Sequence, residues 1–218
     1  MSNFENIIFD FDGTLVDSQA DIKDSLKAAI YKIKGVNIDS SSFKIGPPLE
    51  EMIKTILINI SQDETNKIVN SFRAIYNESG FNKTFCYRGI ENLLKTLKET
   101  NKRIYIATNK PENLTKKIIK KLNIDFFDDI CTVDKIEGVF LLKKEMISLL
   151  IKKNKLNRKT TLMIGDSASD VRSGRENDIT TIGVGYGYGI REEIIKAIPD
   201  FYFDTTQQLI DFLIHQPN

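Results

Sequence analysis

The sequence predicts an α/β protein in which helices cover a parallel sheet and a helical domain is inserted near the start of the chain. Two observations lead to this fold class. After residue 80, short apolar strands alternate with amphipathic helices, a pattern typical of a parallel sheet covered on both faces. Between residues 18 and 80, the apolar residues instead recur at helical spacing. We therefore expect a core domain of residues 1–15 and 86–218 and a helical domain of residues 16–85.

The first elements are a strand and the helices of the insertion. Residues 4–11 are predicted to form a buried strand because their centre is a continuous apolar run. Apolar residues then follow helical spacing from Ile22 to Ile33, from Leu49 to Ile60 and from Ile68 to Tyr76. Gly35 is placed to end the first of these helices.

The remaining elements form the alternating part of the chain, and each is predicted from a short apolar run or an amphipathic stripe. Strands are expected at residues 103–107, 129–133, 160–164, 180–184 and 201–203, and helices near 90–97, 114–122, 143–151, 170–177 and 209–213.

Composition excludes several classes of function. Lys+Arg 31 against Asp+Glu 30 gives a net charge of +1, so no nucleic acid polymer is expected as a partner. No apolar run approaches the length of a membrane span, and the N-terminus lacks the pattern of a signal peptide. Cys86 and Cys131 stand apart, which is typical of a reducing, cytoplasmic location. The single histidine, His215, excludes a Ser-His-Asp triad in the body of the chain and a multi-histidine metal site.

Acidic residues follow two of the predicted strands. Asp10 and Asp12 lie one residue apart, so an extended strand directs their side chains to the same face. Asp166 and Asp170 follow the strand at 160–164. Proteins built on an open parallel sheet bind their ligands at the carboxyl ends of the strands. If the two strands that precede these acids are neighbours, the acids converge there. So many carboxylates need a cation, and a set of oxygen ligands suits Mg²⁺, which acts most often on phosphate esters.

Candidate phosphate ligands follow another strand and begin a later helix. Thr108 and Asn109 are expected at a helix N-terminus, where free N–H groups and the helix dipole favour an anion. A lysine is also needed to balance the phosphate and the carboxylates. Lys143 and Lys144, at the start of the helix before Gly165-Asp166, are the candidates.

These motifs resemble those of the haloacid dehalogenase (HAD) superfamily. The matching segments are Asp10-x-Asp12-Gly13-Thr14-Leu15-Val16-Asp17-Ser18, Thr108-Asn109, Lys143 and Gly165-Asp166-x-x-x-Asp170. Within the superfamily the chain is similar to the phosphoglycolate phosphatase-like branch, to which Gly46-Pro47-Pro48-Leu49 and Gly185-Tyr186-Gly187-Tyr188-Gly189 also point. The resemblance implies a Rossmann-like core, an inserted helical cap that sets substrate choice, and a cytoplasmic phosphatase that is a monomer or weak homodimer.

The resemblance also implies a role for each site residue. Asp10 is expected to attack phosphorus as the nucleophile, giving an aspartyl-phosphate. Asp12 is expected to protonate the leaving oxygen and later deprotonate the attacking water. The metal would be bound by the Asp10 carboxylate, the Asp12 backbone carbonyl and Asp166.

The other site residues would act on the phosphoryl group or support the groups that do. Thr108, Asn109 and Lys143 are expected to bind phosphoryl oxygens. Asp170 is expected to orient the lysine or the metal ligands.

Two positions depart from the branch's pattern. The lysine motif often reads Lys-Pro-x-Pro, whereas this chain has Lys143-Lys144-Glu145-Met146, which leaves Lys144 open as an alternative to Lys143. Asn177-Asp178 replaces the usual Asn-Gly, so we expect Asp178 to adopt a left-handed conformation at a local cost. The glycines of 183–189 do not fit a dinucleotide-binding G-x-G-x-x-G, and we expect a flexible loop bordering the site.

The expected substrate is a small-molecule phosphate ester, hydrolysed with Mg²⁺. Phosphoglycolate leads by resemblance, and nucleoside 5′-monophosphates are the main alternative. A phosphomutase and a non-catalytic regulatory relative are the remaining alternatives.

Overall fold

The computed structural model describes residues 4–39, 43, 45–46, 48–79 and 81–214. Pro47 and His215, both considered in the sequence analysis, lie outside these residues. The chain forms two compact units: one combines the residues up to Asp17 with those from Cys86 onward, and the other runs from Ser18 to Phe85.

The first unit is built on a six-stranded parallel sheet with the strand order β5-β4-β1-β6-β7-β8. Its strands are β1 (Asn6–Phe9), β4 (Arg103–Thr108), β5 (Asp129–Thr132), β6 (Thr161–Gly165), β7 (Thr180–Val184) and β8 (Phe201–Phe203). Every residue of β1 is buried, because this strand lies between β4 and β6. The predicted α/β fold with a parallel sheet is confirmed.

Helices pack against this sheet. They are α4 (Ile90–Glu99), α5 (Glu112–Leu122), α6 (Lys143–Asn154), α7 (Ala168–Arg175), α8 (Arg191–Lys196) and α9 (Thr206–Ile214), with a short 3-10 helix at Arg158–Thr160. Helices α6 and α7 pack on one another and on the sheet, and α4 packs with α9. Asp178, just after α7, has a φ of 54°, the left-handed conformation expected from the sequence.

The second unit contains helices α1 (Gln19–Lys34), α2 (Leu49–Ile56) and α3 (Gln62–Ser79). Gly35 ends α1 in the left-handed conformation, with its N–H donating to the Tyr31 carbonyl, as its position in the sequence predicts. Buried apolar side chains from all three helices form the interior, including Leu26, Ile53 and Tyr76. Helix α2 ends four residues before the expected Ile60, and the chain then turns through a left-handed Asn59.

Besides the 3-10 helix, three elements were not expected from the sequence. Strands β2 (Val16–Asp17) and β3 (Phe85–Cys86) have two residues each, too few to show a period. Helix α8 has six residues and buries only Ile194, so its apolar stripe is too short to recognise. None of the described helices is both long and apolar enough to span a membrane.

Candidate active site

Three adjacent strands bring the predicted site residues to one edge of the sheet. Strands β4, β1 and β6 are neighbours, and Phe9 at the end of β1 is level with Ile106 of β4 and Ile164 of β6. Asp10 follows β1 directly and donates its N–H to the Ile164 carbonyl at 2.8 Å. The carboxyl ends of these strands therefore place Asp10 between Thr108, the last residue of β4, and Asp166, which follows β6.

Three carboxylates and one ammonium group form the centre of the site. One carboxylate oxygen from each of Asp10, Asp166 and Asp170 lies within 4.8 Å of the others. Lys143 Nζ donates to Asp10 Oδ1 at 2.6 Å and to the Ala107 carbonyl at 2.9 Å, and it lies 2.9 Å from Asp170 Oδ1. When all three acids are ionised, the single lysine leaves two negative charges uncompensated in a buried place.

The protonation of these groups reflects that burial and crowding. Loss of hydration raises the pKa of Asp10 well above its ordinary value, although Lys143 opposes the rise. Burial, and next the charge of Asp170, raises the pKa of Asp166 to about 7. Burial alone would lower the pKa of Lys143, but the carboxylates of Asp10 and Asp170 outweigh it and hold the pKa above its ordinary value. The charged Lys143 alone therefore does not offset the acids of the cluster, and Asp10 and Asp166 bind protons more readily than exposed carboxylates do.

Lys143, rather than Lys144, lies in this cluster. The Lys143 side chain is 4% exposed, whereas that of Lys144 is 51% exposed and lies 3.6 Å from Glu176. Lys143 is the first residue of α6, and the Glu145 side chain accepts the N–H of Leu142 to cap that helix. The helix start thus fixes the backbone from which Lys143 extends to Asp10.

Asp170 is held by the start of α7. Its Oδ2 accepts the Ser167 N–H at 3.0 Å and the Ser167 hydroxyl at 2.6 Å, while Ser167 Oγ accepts the Asp170 N–H. This is a reciprocal capping box. It leaves the other oxygen, Oδ1, directed at Lys143. Asp170 therefore acts on the lysine, as the sequence analysis expects, and its carboxylate also belongs to the acidic cluster.

The glycine-rich segment 185–189 packs tightly on Asp166. The N–H of Tyr188 donates to Asp166 Oδ2 at 2.6 Å. A Cβ added at Gly187 would lie 2.2 Å from the Gly13 carbonyl oxygen and 2.4 Å from Asp166 Cβ, and one at Gly189 would lie 1.8 Å from the Asp166 carbonyl oxygen. The repeated glycines therefore allow the close approach of backbone to a site carboxylate, a role that the sequence analysis did not assign.

Asp12 has a different partner from Asp10. Lys110 Nζ donates to both carboxylate oxygens of Asp12, each at 2.9 Å. Within the described part of the chain, the Asp12 carboxylate is not among the three grouped acids. From the sequence, Lys110 could either reach the substrate or be an ordinary surface residue, because no motif distinguishes a buried lysine from an exposed one.

Thr108 is the last residue of β4, and Asn109 follows it in the turn before α5. The sequence analysis expected both at a helix N-terminus, and this was wrong because α5 begins at Glu112, after Pro111. Thr108 is buried and its Oγ1 accepts the Lys110 N–H at 3.1 Å, whereas Asn109 is exposed. A hydroxyl oxygen that accepts this bond still has its proton to donate. Thr108 can therefore donate to an anion beside Asp10.

Comparison with known proteins identifies the family. The model of the family described as haloacid dehalogenase-like hydrolase matches residues 7–184. A 5′-nucleotidase from Pseudomonas aeruginosa is 29% identical over 203 residues, covering 91% of this chain and 90% of that protein. A phosphoglycolate phosphatase from Psychrobacter arcticus is 28% identical over 219 residues, covering 95% of each. Among solved structures, a predicted phosphatase from Clostridium acetobutylicum has a TM-score of 0.88 at 27% identity, covering 99% of this chain and 100% of that one.

These matches agree with the motifs at the edge of the sheet. The family match begins at Ile7 and extends through Val184, so it includes every residue of the acidic cluster. The resemblance to phosphoglycolate phosphatase-like members that the sequence indicates is confirmed. The chain belongs to the haloacid dehalogenase-like hydrolase family and is a phosphoric monoester hydrolase.

Proposed function

We propose that the protein hydrolyses a small phosphomonoester with the help of Mg²⁺, through an aspartyl-phosphate on Asp10. The observation that carries this proposal is the different environment of the two acids after β1. Asp10 lies in a cluster with Asp166, Asp170 and Lys143, whereas Asp12 is paired with Lys110. We therefore assign one carboxylate to the metal and the phosphate, and the other to proton transfer.

The cluster fits a small divalent cation. Its donors are carboxylate oxygens, which hard cations such as Mg²⁺ prefer. Two negative charges are uncompensated when all three acids are ionised, so a divalent cation would neutralise them. Asp170 Oδ1 is also buried without a hydrogen bond of good geometry, although Lys143 Nζ lies 2.9 Å away. Asp10, Asp166 and the Asp12 backbone carbonyl are the proposed ligands, and bound Mg²⁺ would draw charge from the phosphoryl oxygens.

The chemistry follows in two steps from the side chains in place. An oxygen of Asp10 attacks phosphorus, the bond from phosphorus to the leaving oxygen breaks, and Asp12 gives its proton to that oxygen. Asp12 then takes a proton from a water molecule, which attacks phosphorus and breaks its bond to Asp10. Lys143 and Thr108 would bind the phosphoryl oxygens during both steps. The step products are an alcohol and inorganic phosphate, and both acids return to their starting states.

The proposed substrate class is that of phosphoglycolate, a small phosphate ester that carries a second negative group. The support is the 28% identity to a phosphoglycolate phosphatase, which covers 95% of this chain. A nucleoside 5′-monophosphate is a second candidate, favoured by the 29% identity to a 5′-nucleotidase over 91% of this chain.

A phosphate-release screen with purified protein tests the proposal. Phosphoglycolate, nucleoside 5′-monophosphates and p-nitrophenyl phosphate are each supplied with Mg²⁺ and with a chelator. We expect Mg²⁺-dependent release with the wild type and none with Asp10→Asn. Asp125→Asn, which changes an exposed acid, is the matched control. Release by Asp10→Asn at the wild-type rate, or no release from any phosphoester by the wild type, would contradict the proposal.

Three further expectations from the sequence stay predictions. These are the role of residues 16–85 as an inserted cap that sets substrate choice, the cytoplasmic location, and the monomeric or weakly dimeric state. Exchange of residues 16–85 for those of a relative with a known substrate, followed by the same screen, tests the first.

A further inference from the structure

We infer that Lys110 is the residue that positions the Asp12 carboxylate for proton transfer and keeps it away from the acidic cluster. This inference rests on the proposed function, and it assigns a role to a residue outside the motifs considered in the sequence analysis. It begins from the contact itself: Nζ of Lys110 is 2.9 Å from both oxygens of Asp12.

A lysine that contacts both oxygens of one carboxylate fixes the plane and direction of that group. The Lys110 side chain is 4% exposed and the Asp12 side chain 21% exposed, so solvent screens this pair little from the lysine's side. Ion pairs between two exposed side chains often contribute nothing measurable to the free energy of unfolding. A pair that includes a buried lysine instead restrains both of its side chains. The contact therefore orients Asp12 rather than merely balancing charge at a surface.

Lys110 is itself held in place by its backbone. Its N–H donates to Thr108 Oγ1 at 3.1 Å, which ties it to the end of β4. Pro111 follows and starts the approach to α5, with the Thr115 hydroxyl donating to the Pro111 carbonyl at 3.0 Å. Because the turn is fixed at both ends, Nζ reaches Asp12 from a defined point. A positioning residue has to be more rigid than the group that it positions, and this one is anchored to the sheet.

The same contact explains why two acids so close in sequence occupy different places. Asp10 is bound by Lys143 and Asp12 by Lys110, one lysine to each carboxylate. These two lysines come from separate segments, the turn after β4 and the start of α6, and each holds one of the two acids. Without Lys110, the Asp12 carboxylate would lose the contact that directs it away from the cluster, and a carboxylate bound to a cation there could not transfer a proton. Lys110 is therefore a positioning residue for the acid, and it need not touch the substrate.

A comparison of two substrates with different leaving groups distinguishes this positioning role of Lys110 from a merely structural one. A phosphate ester of an alkyl alcohol needs its leaving oxygen protonated, whereas p-nitrophenolate leaves with little help. General acid–base catalysis contributes about 10²–10⁴-fold, so we expect Lys110→Met to lower kcat/KM for an alkyl phosphate by about 10–100-fold. For p-nitrophenyl phosphate we expect kcat/KM to fall by less than about threefold, because kcat/KM reports the steps up to release of the leaving group and not the later hydrolysis of the phosphorylated Asp10. Lys116→Met, which changes a lysine of α5 that is 62% exposed, should keep the wild-type ratio of the two substrates.

A double-mutant cycle with Asp12→Asn tests whether Lys110 acts through Asp12. With Asp12 already neutralised, Lys110→Met should cause no further loss on the alkyl phosphate, because the group that it positions is gone. Lys110→Gln is assessed by the same comparison if the methionine variant does not fold. An equal loss on both substrates, no loss on either, or a full additional loss in the Asp12→Asn background would overturn the inference while leaving the proposed function intact. A wild type that hydrolyses neither substrate would overturn both.

Discussion

Neutralising Asp166 should stabilise the metal-free protein at alkaline pH, because it removes negative charge that the cluster leaves uncompensated. Asp166→Asn keeps the shape of the side chain, and the amide oxygen can still accept the Tyr188 N–H that Asp166 Oδ2 accepts at 2.6 Å. The substitution removes one of the two uncompensated negative charges. It should also abolish Mg²⁺-dependent hydrolysis, because Asp166 is a proposed metal ligand.

The magnitude follows from the pKa of Asp166, which burial and the Asp170 charge raise from 3.8 to about 7. Between these values the folded protein binds more protons than the unfolded chain, so the free energy of unfolding falls as pH rises through this window. Each pKa unit corresponds to about 1.4 kcal/mol, which puts the largest loss at about 4 kcal/mol. The loss is complete above the folded pKa and absent below the unfolded one. Asp166→Asn has no such group, so its stability should depend less on pH.

Urea unfolding in a chelator, followed by circular dichroism from about pH 5 to about pH 8.5, measures this difference. We expect the variant to exceed the wild type at the alkaline end and to approach it at the acid end. Added Mg²⁺ should raise the stability of the wild type at alkaline pH and have little effect on the variant. Asp125→Asn is the control for the loss of one exposed negative charge. The prediction is refuted if the free energies of unfolding of the wild type and Asp166→Asn change with pH in the same way. It is also refuted if the variant is less stable than the wild type at alkaline pH in the chelator.

Three other substitutions test separate parts of the site. Lys143→Met removes the ammonium group that faces Asp10. Because breaking a buried ion pair costs about 3–5 kcal/mol, the urea midpoint measured in a chelator should fall by the equivalent of that free energy. An unchanged midpoint would contradict the proposed charge balance of the cluster. Gly187→Ala places a methyl group 2.4 Å from Asp166 Cβ. Phosphate release by this variant, titrated with Mg²⁺, should need a higher Mg²⁺ concentration than release by the wild type. Equal Mg²⁺ requirements of the two proteins would show that the segment has room to move. Asp12→Asn should lower kcat by about 10²–10⁴-fold while Mg²⁺ binding, measured by calorimetry, changes far less, and an unchanged kcat would reject the acid–base role.

Most elements of the fold could be predicted from the sequence because the patterns that indicate them are local. The continuous apolar run at Ile7 to Phe9 marks the central strand, since a strand buried on both faces has no polar positions. Gly35 marks a helix end for an equally local reason, the left-handed backbone that glycine adopts at no steric cost. Helix α8 was missed because six residues with one buried side chain give no period to detect.

The site is less predictable because its central contacts join distant segments. Asp10, Asp166 and Asp170 could be identified, since acids at strand ends are themselves a local signal. Lys110 could not, because only the tertiary structure shows that its ammonium group meets Asp12 across the sheet edge. The glycines near Tyr188 were noticed as a pattern, but their meaning depends on the proximity of Asp166, which lies more than twenty residues away.

Trapping of a phosphorylated Asp10 tests the central claim most directly. Wild type and Asp12→Asn are mixed with Mg²⁺ and a reactive phosphoester, quenched in acid within one turnover, digested and examined by mass spectrometry. The account predicts a phosphorylated peptide containing Asp10, in greater yield from Asp12→Asn because its second step lacks a base, and no such peptide from Asp10→Asn. Rapid hydrolysis by the wild type with no phosphate ever found on Asp10, or with the same phosphopeptide formed by Asp10→Asn, would contradict it.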